Sequence, residues 1–185
     1  MSLLDDVISR RFRRAPVEVD PSPVLRWAAV AAILVPEPDS VLLVRRAHRS
    51  GDPWSGHMAM PGGRREEDED LLFTAIRETD EEVGIILPPE SLVGTLDDVA
   101  PKTPVLPPIA VRPFVFKLDR RPDMTLSEEL AAAHWIPLQS LLAPDAISDT
   151  EIEVLGRRRR MAAYPLAEGT VWGMTERILS DLLRT

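Results

Sequence analysis

Glu78, Glu81 and Glu82 stand at i, i+3 and i+4 in the stretch RETDEEVG, residues 77–84. On a helix this spacing puts three carboxylates on one face near the C-terminus, where the macrodipole opposes negative charge and like charges repel. An isolated E-x-x-E-E is most often a solvated acidic face, so the spacing alone leaves a surface patch and a chemical site both open. The chain has no cysteine, which excludes disulfides, thiolate nucleophiles and zinc–cysteine centres. Any metal must therefore sit on oxygen or histidine ligands.

The elements that must position these acids can be read outward from them. Residues 69–83 form the predicted helix, with Leu72, Ala75, Ile76, Thr79 and Val83 as its inward stripe and the three glutamates facing outward. Gly84 supplies the stop. Upstream, VLRWAAVAAILV and SVLLVRRA read as two strands of a hairpin around PEPD, and the glycine- and charge-rich residues 48–70 as a loop. Downstream, residues 91–99 and 109–118 read as strands joined by a proline-rich loop, APKTPVLPP, placed to form a pocket wall. Residues 131–138 suggest another strand, residues 152–166 and 169–172 a last pair, and residues 174–185 an amphipathic helix. The opening LLDDVISRRFRR has helical spacing, with Arg10, Arg11, Arg13 and Arg14 off the apolar face. Strands and helices alternate irregularly, which suggests an α+β fold with a mixed sheet.

At 185 residues the chain suits one domain. A formal charge of −8 argues against general nucleic-acid or anionic-membrane binding. The longest apolar run, residues 27–35, is far short of the ~20 residues that span a bilayer. A soluble, cytoplasmic protein is the expectation.

The acids belong to a longer pattern. Gly63, Glu69, Arg77, Glu78, Glu81, Glu82, Gly84 and Ile85 match G-x5-E-x7-R-E-U-x-E-E-x-G-U, the Nudix box, with U a bulky apolar residue. Thr79 takes the first U position and keeps the branched shape. The chain thus resembles the Nudix hydrolases, which implies a Nudix-type α/β/α sandwich with a mixed β-sheet. Residues 1–22 would be an N-terminal helical extension and residues 23–185 the Nudix hydrolase domain.

The resemblance implies that the acidic face holds Mg²⁺ or Mn²⁺, since such ions take oxygen ligands on adjacent helical turns while substrate phosphates complete the shell. Glu78 and Glu82 are the first candidate ligands and Glu81 the third, with a main-chain carbonyl at Gly62 or Gly63 as a further donor. One of these acids can also orient or deprotonate the attacking water. Arg77 would hold the acids in place, and Glu69 would either cap the helix and bond to the loop or bind metal. The implied reaction is hydrolysis of a nucleoside diphosphate linked to another moiety. Glu129, in SEELAAAHWIPL, matches the place of a further acid before a strand and is a candidate base or metal neighbour.

The stretch LLVRRAHRSGDPWSGHMAMPGG also resembles the extra signature of coenzyme A pyrophosphatases, through Leu42, Leu43, Arg46, Ala47, Gly56, Pro61, Gly62 and Gly63. YPLAEGTVWGMTERIL resembles the end of that subgroup. Val44 replaces a threonine of the signature, Met60 replaces a phenylalanine, and the loop is one residue longer with no arginine at the second basic position. The implied substrate is coenzyme A or a derivative, with ADP-ribose or a dinucleotide as the alternative and a non-catalytic nucleotide-binding module as the alternative of another class. Arg46 is a candidate for the substrate phosphates, and Arg157, Arg158, Arg159 and Arg160 form either a 3′-phosphate site or a solvated basic strand. Trp54 would stack on adenine or pin the loop, and His57 would serve as a local hydrogen-bonding residue. The N-terminal helix and the proline-rich loop are the candidate surfaces for a homodimer.

Overall fold

The computed structural model describes residues 2–9, 12, 26–51, 54–102, 108–154 and 156–184. In chain order the elements are α1 (Leu3–Ser9), β1 (Arg26–Val35), β2 (Ser40–Arg46), β3 (Met58–Ala59), β4 (Gly62–Arg64) and α2 (Leu71–Val83). They continue with β5 (Leu92–Thr95), β6 (Ile109–Lys117), β7 (Leu130–Pro137), α3 (Leu138–Leu142), β8 (Ser148–Val154), β9 (Arg157–Leu166), β10 (Gly169–Trp172) and α4 (Gly173–Arg184). Arg10, Arg11, Arg13 and Arg14 and most of the proline-rich loop lie outside the described residues.

Alternation along the central strands sets the layers, because successive side chains of a strand point to opposite faces. Ala29, Ala31 and Ile33 of β1, Leu42 and Val44 of β2 and Phe114 and Phe116 of β6 pack with Leu71, Ala75 and Val83 of α2. The intervening Ala32, Leu34, Val41, Leu43 and Val115 pack on the other face with Leu179, Leu182 and Leu183 of α4. Leu4 and Val7 of α1 enter this second core, so the described part of the N-terminal extension is folded into the domain. The result is an α/β/α sandwich around a mixed sheet of order β3-β2-β1-β6-β5, with β4 on β1 and β7 on β2.

The pairing of β1 decides where a site can form. β1 runs parallel to β6 along nearly its whole length. Against β2 it pairs only at Leu34↔Val41 and Val35↔Ser40. Beyond that point the two strands part, β4 taking Ala28–Val30 and β3 taking the end of β2. The sheet opens there into a cleft.

Three features differ from the sequence reading. Residues 48–70 contain β3 and β4, whose two and three residues are too short to show a period. Residues 152–166 are split by a turn at Gly156, whose φ of 73° lies in the left-handed region, and β8, β9 and β10 form a separate antiparallel sheet. Residues 91–99 keep only Leu92–Thr95 as a strand, with Val99 bridging Val111 alone.

Candidate active site

α2 starts where Asp70 accepts a hydrogen bond from the Leu72 N–H at 2.8 Å, and ends at Gly84, whose left-handed backbone lets its N–H donate to the Asp80 carbonyl. Between these caps the buried face is Leu71, Thr74, Ala75, Thr79, Glu82 and Val83. The expectation that all three glutamates face outward is corrected: Glu82 is 4% exposed. It is buried because β4 crosses beside the helix and the Gly62 N–H donates to its carboxylate at 3.0 Å. Of the three, Glu81 alone is exposed, at 58% of its side chain.

Arg77 organises the acids around it. Its guanidinium grips Glu69 through Nε at 2.7 Å and Nη2 at 3.0 Å, while Nη1 reaches Glu78 at 3.1 Å and Glu81 at 3.0 Å. Nη2 also donates to the Arg64 carbonyl at 3.3 Å. Glu69 sits just before the helix and also accepts from Thr74 Oγ1 and from the Glu66 N–H. The Arg77 bonds hold its carboxyl down at about 2, and Glu69 in turn raises the pKa of Arg77. This pair is structural and stays charged at every working pH.

Glu78 and Glu82 behave oppositely. Burial raises the pKa of Glu78 against the opposing charge of Arg77, with Glu81 and Glu129 adding to the rise. Burial pushes Glu82 up to about 7, with the Gly62 N–H and Arg46 opposing, and Glu78 and Glu129 reinforcing. Gly63 explains its own identity: a Cβ there would overlap the Glu78 carboxyl, and one at Gly62 would overlap the Ala29 carbonyl. At φ 153° Gly62 also adopts a backbone that side chains resist.

These acids face a cavity of about 1130 Å³ in the sheet opening. Glu78, Glu82, Glu129, Arg46, Gly62 and Gly63 all line it, whereas Glu81 does not. Glu129 meets Arg49 at 3.2 Å, both side chains about half exposed. Among the described residues no three acids or histidines form a cage for an ion; Glu78 bonds to Arg77 and Glu129 to Arg49. The donors are nonetheless all oxygens, which suits a hard divalent cation. Of the four arginines of strand β9, only Arg160 lines the cavity, and Arg158 pairs with Glu151.

Residues 25–156 match the NUDIX domain. The chain belongs to the Nudix family. It is 41% identical over 131 residues to a protein of Schizosaccharomyces pombe, covering 68% of this chain and 39% of that one, so it spans well under half the length of this relative. It is 30% identical over 163 residues to the Nudix hydrolase NudL of Yersinia pestis, covering 85% of this chain and 78% of the relative. Among solved structures, a bifunctional NMN adenylyltransferase/ADP ribose pyrophosphatase from Francisella tularensis, complexed with AMP and a manganese ion, superposes with a TM-score of 0.51. It is 25% identical, over 62% of this chain and 34% of that one.

The structure adds residues to this Nudix site that sequence motifs did not single out. Arg49 comes from the loop after β2, and Trp172, Met174 and Arg177 come from the β10–α4 junction. Arg49 had a readable signal, a cation three positions after Arg46. Trp172 stands within the stretch that resembles the end of the coenzyme A pyrophosphatase subgroup, but only the packing of the second sheet brings it to the cavity.

Proposed function

We propose that the chain is a divalent-cation-dependent diphosphatase that hydrolyses coenzyme A, or a derivative of it, to 3′,5′-ADP and 4′-phosphopantetheine. The observation that carries the reading is the meeting of Glu78, Glu82 and Glu129 on one cavity, with Glu82 buried and hard to ionise without a cation. Arg46 and the two glycines of the PGG turn, which help carry the resemblance to coenzyme A pyrophosphatases, line the same cavity.

In this reading Glu78 and Glu82 hold the metal, Mg²⁺ or Mn²⁺, with a carbonyl at Gly63 as a further donor. Glu81, off the cavity, keeps Arg77 in place. When bound, the ion supplies positive charge for the phosphoryl oxygens and acidifies a water molecule. Arg46 binds and orients the diphosphate through its planar guanidinium. Glu129 accepts the proton of the attacking water at its carboxylate oxygen. The water oxygen bonds to phosphorus, the phosphoanhydride P–O bond breaks, and its electron pair leaves with the departing phosphate.

Incubating the purified protein with coenzyme A, ADP-ribose, NADH and nucleoside triphosphates, with Mg²⁺, Mn²⁺ or EDTA, tests the reading by chromatography of products. The expected result is metal-dependent release of 3′,5′-ADP from coenzyme A. Preferred cleavage of ADP-ribose or NADH moves the substrate to the alternative class. Tight nucleotide binding without turnover makes the chain a binding module, and no turnover of any diphosphate with metal present overturns the enzyme.

A further inference from the structure

The family match ends at residue 156, yet Met161, Trp172, Met174, Glu176, Arg177 and Ile178 all line the cavity. The part of the chain beyond the reacting machinery therefore forms a wall of the same site. Trp172 is its aromatic element. It ends β10 opposite Ala163 of β9 and packs beside Ile152, Val154 and Ala163, so its backbone and one flank are fixed by the second sheet.

Across the cavity wall Trp172 meets His57, with ring centroids 4.7 Å apart and planes at 74°. The His57 backbone is fixed too: its N–H donates to the Trp54 carbonyl at 3.2 Å, and its own carbonyl accepts from the Arg46 N–H at 3.0 Å. Two aromatic planes inclined at 74°, one from the loop just before β3 and one from the second sheet, thus meet in the cavity that the acids line. A flat heterocycle lying on one ring meets the other edge-on, and both contacts are favourable aromatic geometries. Met161 and Met174 line the same cavity with polarizable, adaptable side chains. A flexible aliphatic chain gains nothing from the inclined pair beyond burial, whereas a nucleobase uses both planes.

We infer that Trp172, braced by His57, is the platform on which the nucleobase of the substrate stacks. The nucleoside half then lies against residues 157–184 and the other half toward the loop after β2. This rests on the cavity being a nucleoside-diphosphate site, as proposed above.

The test compares wild type, Trp172→Leu, which keeps apolar volume, and Trp172→Phe, which keeps a π-face. Each is titrated calorimetrically with 3′,5′-ADP and with 4′-phosphopantetheine in the presence of Mg²⁺, folding is checked by circular dichroism, and coenzyme A hydrolysis is followed in parallel. Base stacking of ordinary strength predicts that Trp172→Leu weakens 3′,5′-ADP by about 10-fold or more. It also predicts that 4′-phosphopantetheine binding does not change, that the larger part of the kinetic loss falls on KM, and that Trp172→Phe recovers most of the affinity. Equal affinity of the Leu variant and wild type for 3′,5′-ADP overturns the inference, as does weakening of 4′-phosphopantetheine alone or equal behaviour of Leu and Phe. A wild-type protein that binds 3′,5′-ADP but ignores Trp172→Leu overturns this inference alone. A wild-type protein that binds no nucleotide and cleaves none overturns the proposed function with it.

Discussion

Glu82 concentrates the chemistry of the site in one side chain. The fold takes it out of water and offers its carboxylate the Gly62 N–H, while burial holds its pKa at about 7. A carboxylate so placed is costly to ionise and gains most from a cation that shares its charge. Glu82→Gln keeps an oxygen acceptor for the Gly62 N–H and removes the charge. The metal-free variant is expected to melt a few degrees above wild type at about pH 8, because at most about 3 kcal/mol of buried-charge penalty disappears. Its stabilisation by Mg²⁺ should vanish, and hydrolysis should fall by more than about 100-fold, since even outer-layer partners of a metal ligand matter by 10–100-fold. Thermal melts with and without MgCl₂ check the first two outcomes. A Glu82→Gln protein that Mg²⁺ stabilises as well as wild type would remove Glu82 from the metal site.

At the scale of the element, α2 and the turn before it act as one unit because Arg77 ties Glu69, Glu78, Glu81 and the Arg64 carbonyl together. Arg77→Ala leaves Glu69, 7% exposed, without the cation that keeps it ionised, and leaves Glu78 and Glu81 to repel each other. Removing one partner of a buried ion pair costs about 3–5 kcal/mol, which for a domain of this size lowers the melting temperature by roughly 6–20 °C. Arg77→Lys should recover only a minor part, because an ammonium cannot grip Glu69 with two parallel bonds while reaching Glu78 and Glu81. Urea unfolding of the three proteins measures this. The helix and its Gly84 stop are legible in sequence because they are local, and the acid-holding role of Arg77 because it stands one turn before Glu81 within the Nudix box. The burial of Glu82 was not legible, since it depends on the pairing of Ala29 with Gly63 and on a three-residue strand that has no readable period. The Gly156 turn is hidden inside an otherwise continuous strand pattern, and with it the second sheet that carries Trp172.

The whole molecule balances two acids that titrate in opposite senses. Glu69 has its folded pKa depressed to about 2, so its contribution is present above the ordinary carboxylate value near 4.5 and is lost as pH falls toward 2. Glu82 has its folded pKa raised to about 7, so its effect runs the other way. The metal-free fold loses nothing to Glu82 below 4.5, and loses stability progressively as pH rises from 4.5 through 7. Both groups anchor the cavity wall, Glu69 through Arg77 and Glu82 through β4, so their titration is felt by the sandwich as a unit. In the proposed reading a divalent cation would bind the ionised Glu82 and add stability by mass action in proportion to how much of that form exists. The rise in melting temperature on adding Mg²⁺ should therefore be small at about pH 5, grow steadily to about pH 7 and level off above it. Melting the protein in EDTA and in excess MgCl₂ across that range gives the difference directly. In Glu82→Gln the same difference curve should lie flat, and a wild-type curve that is already flat would mean that no buried carboxylate of this site meets the ion.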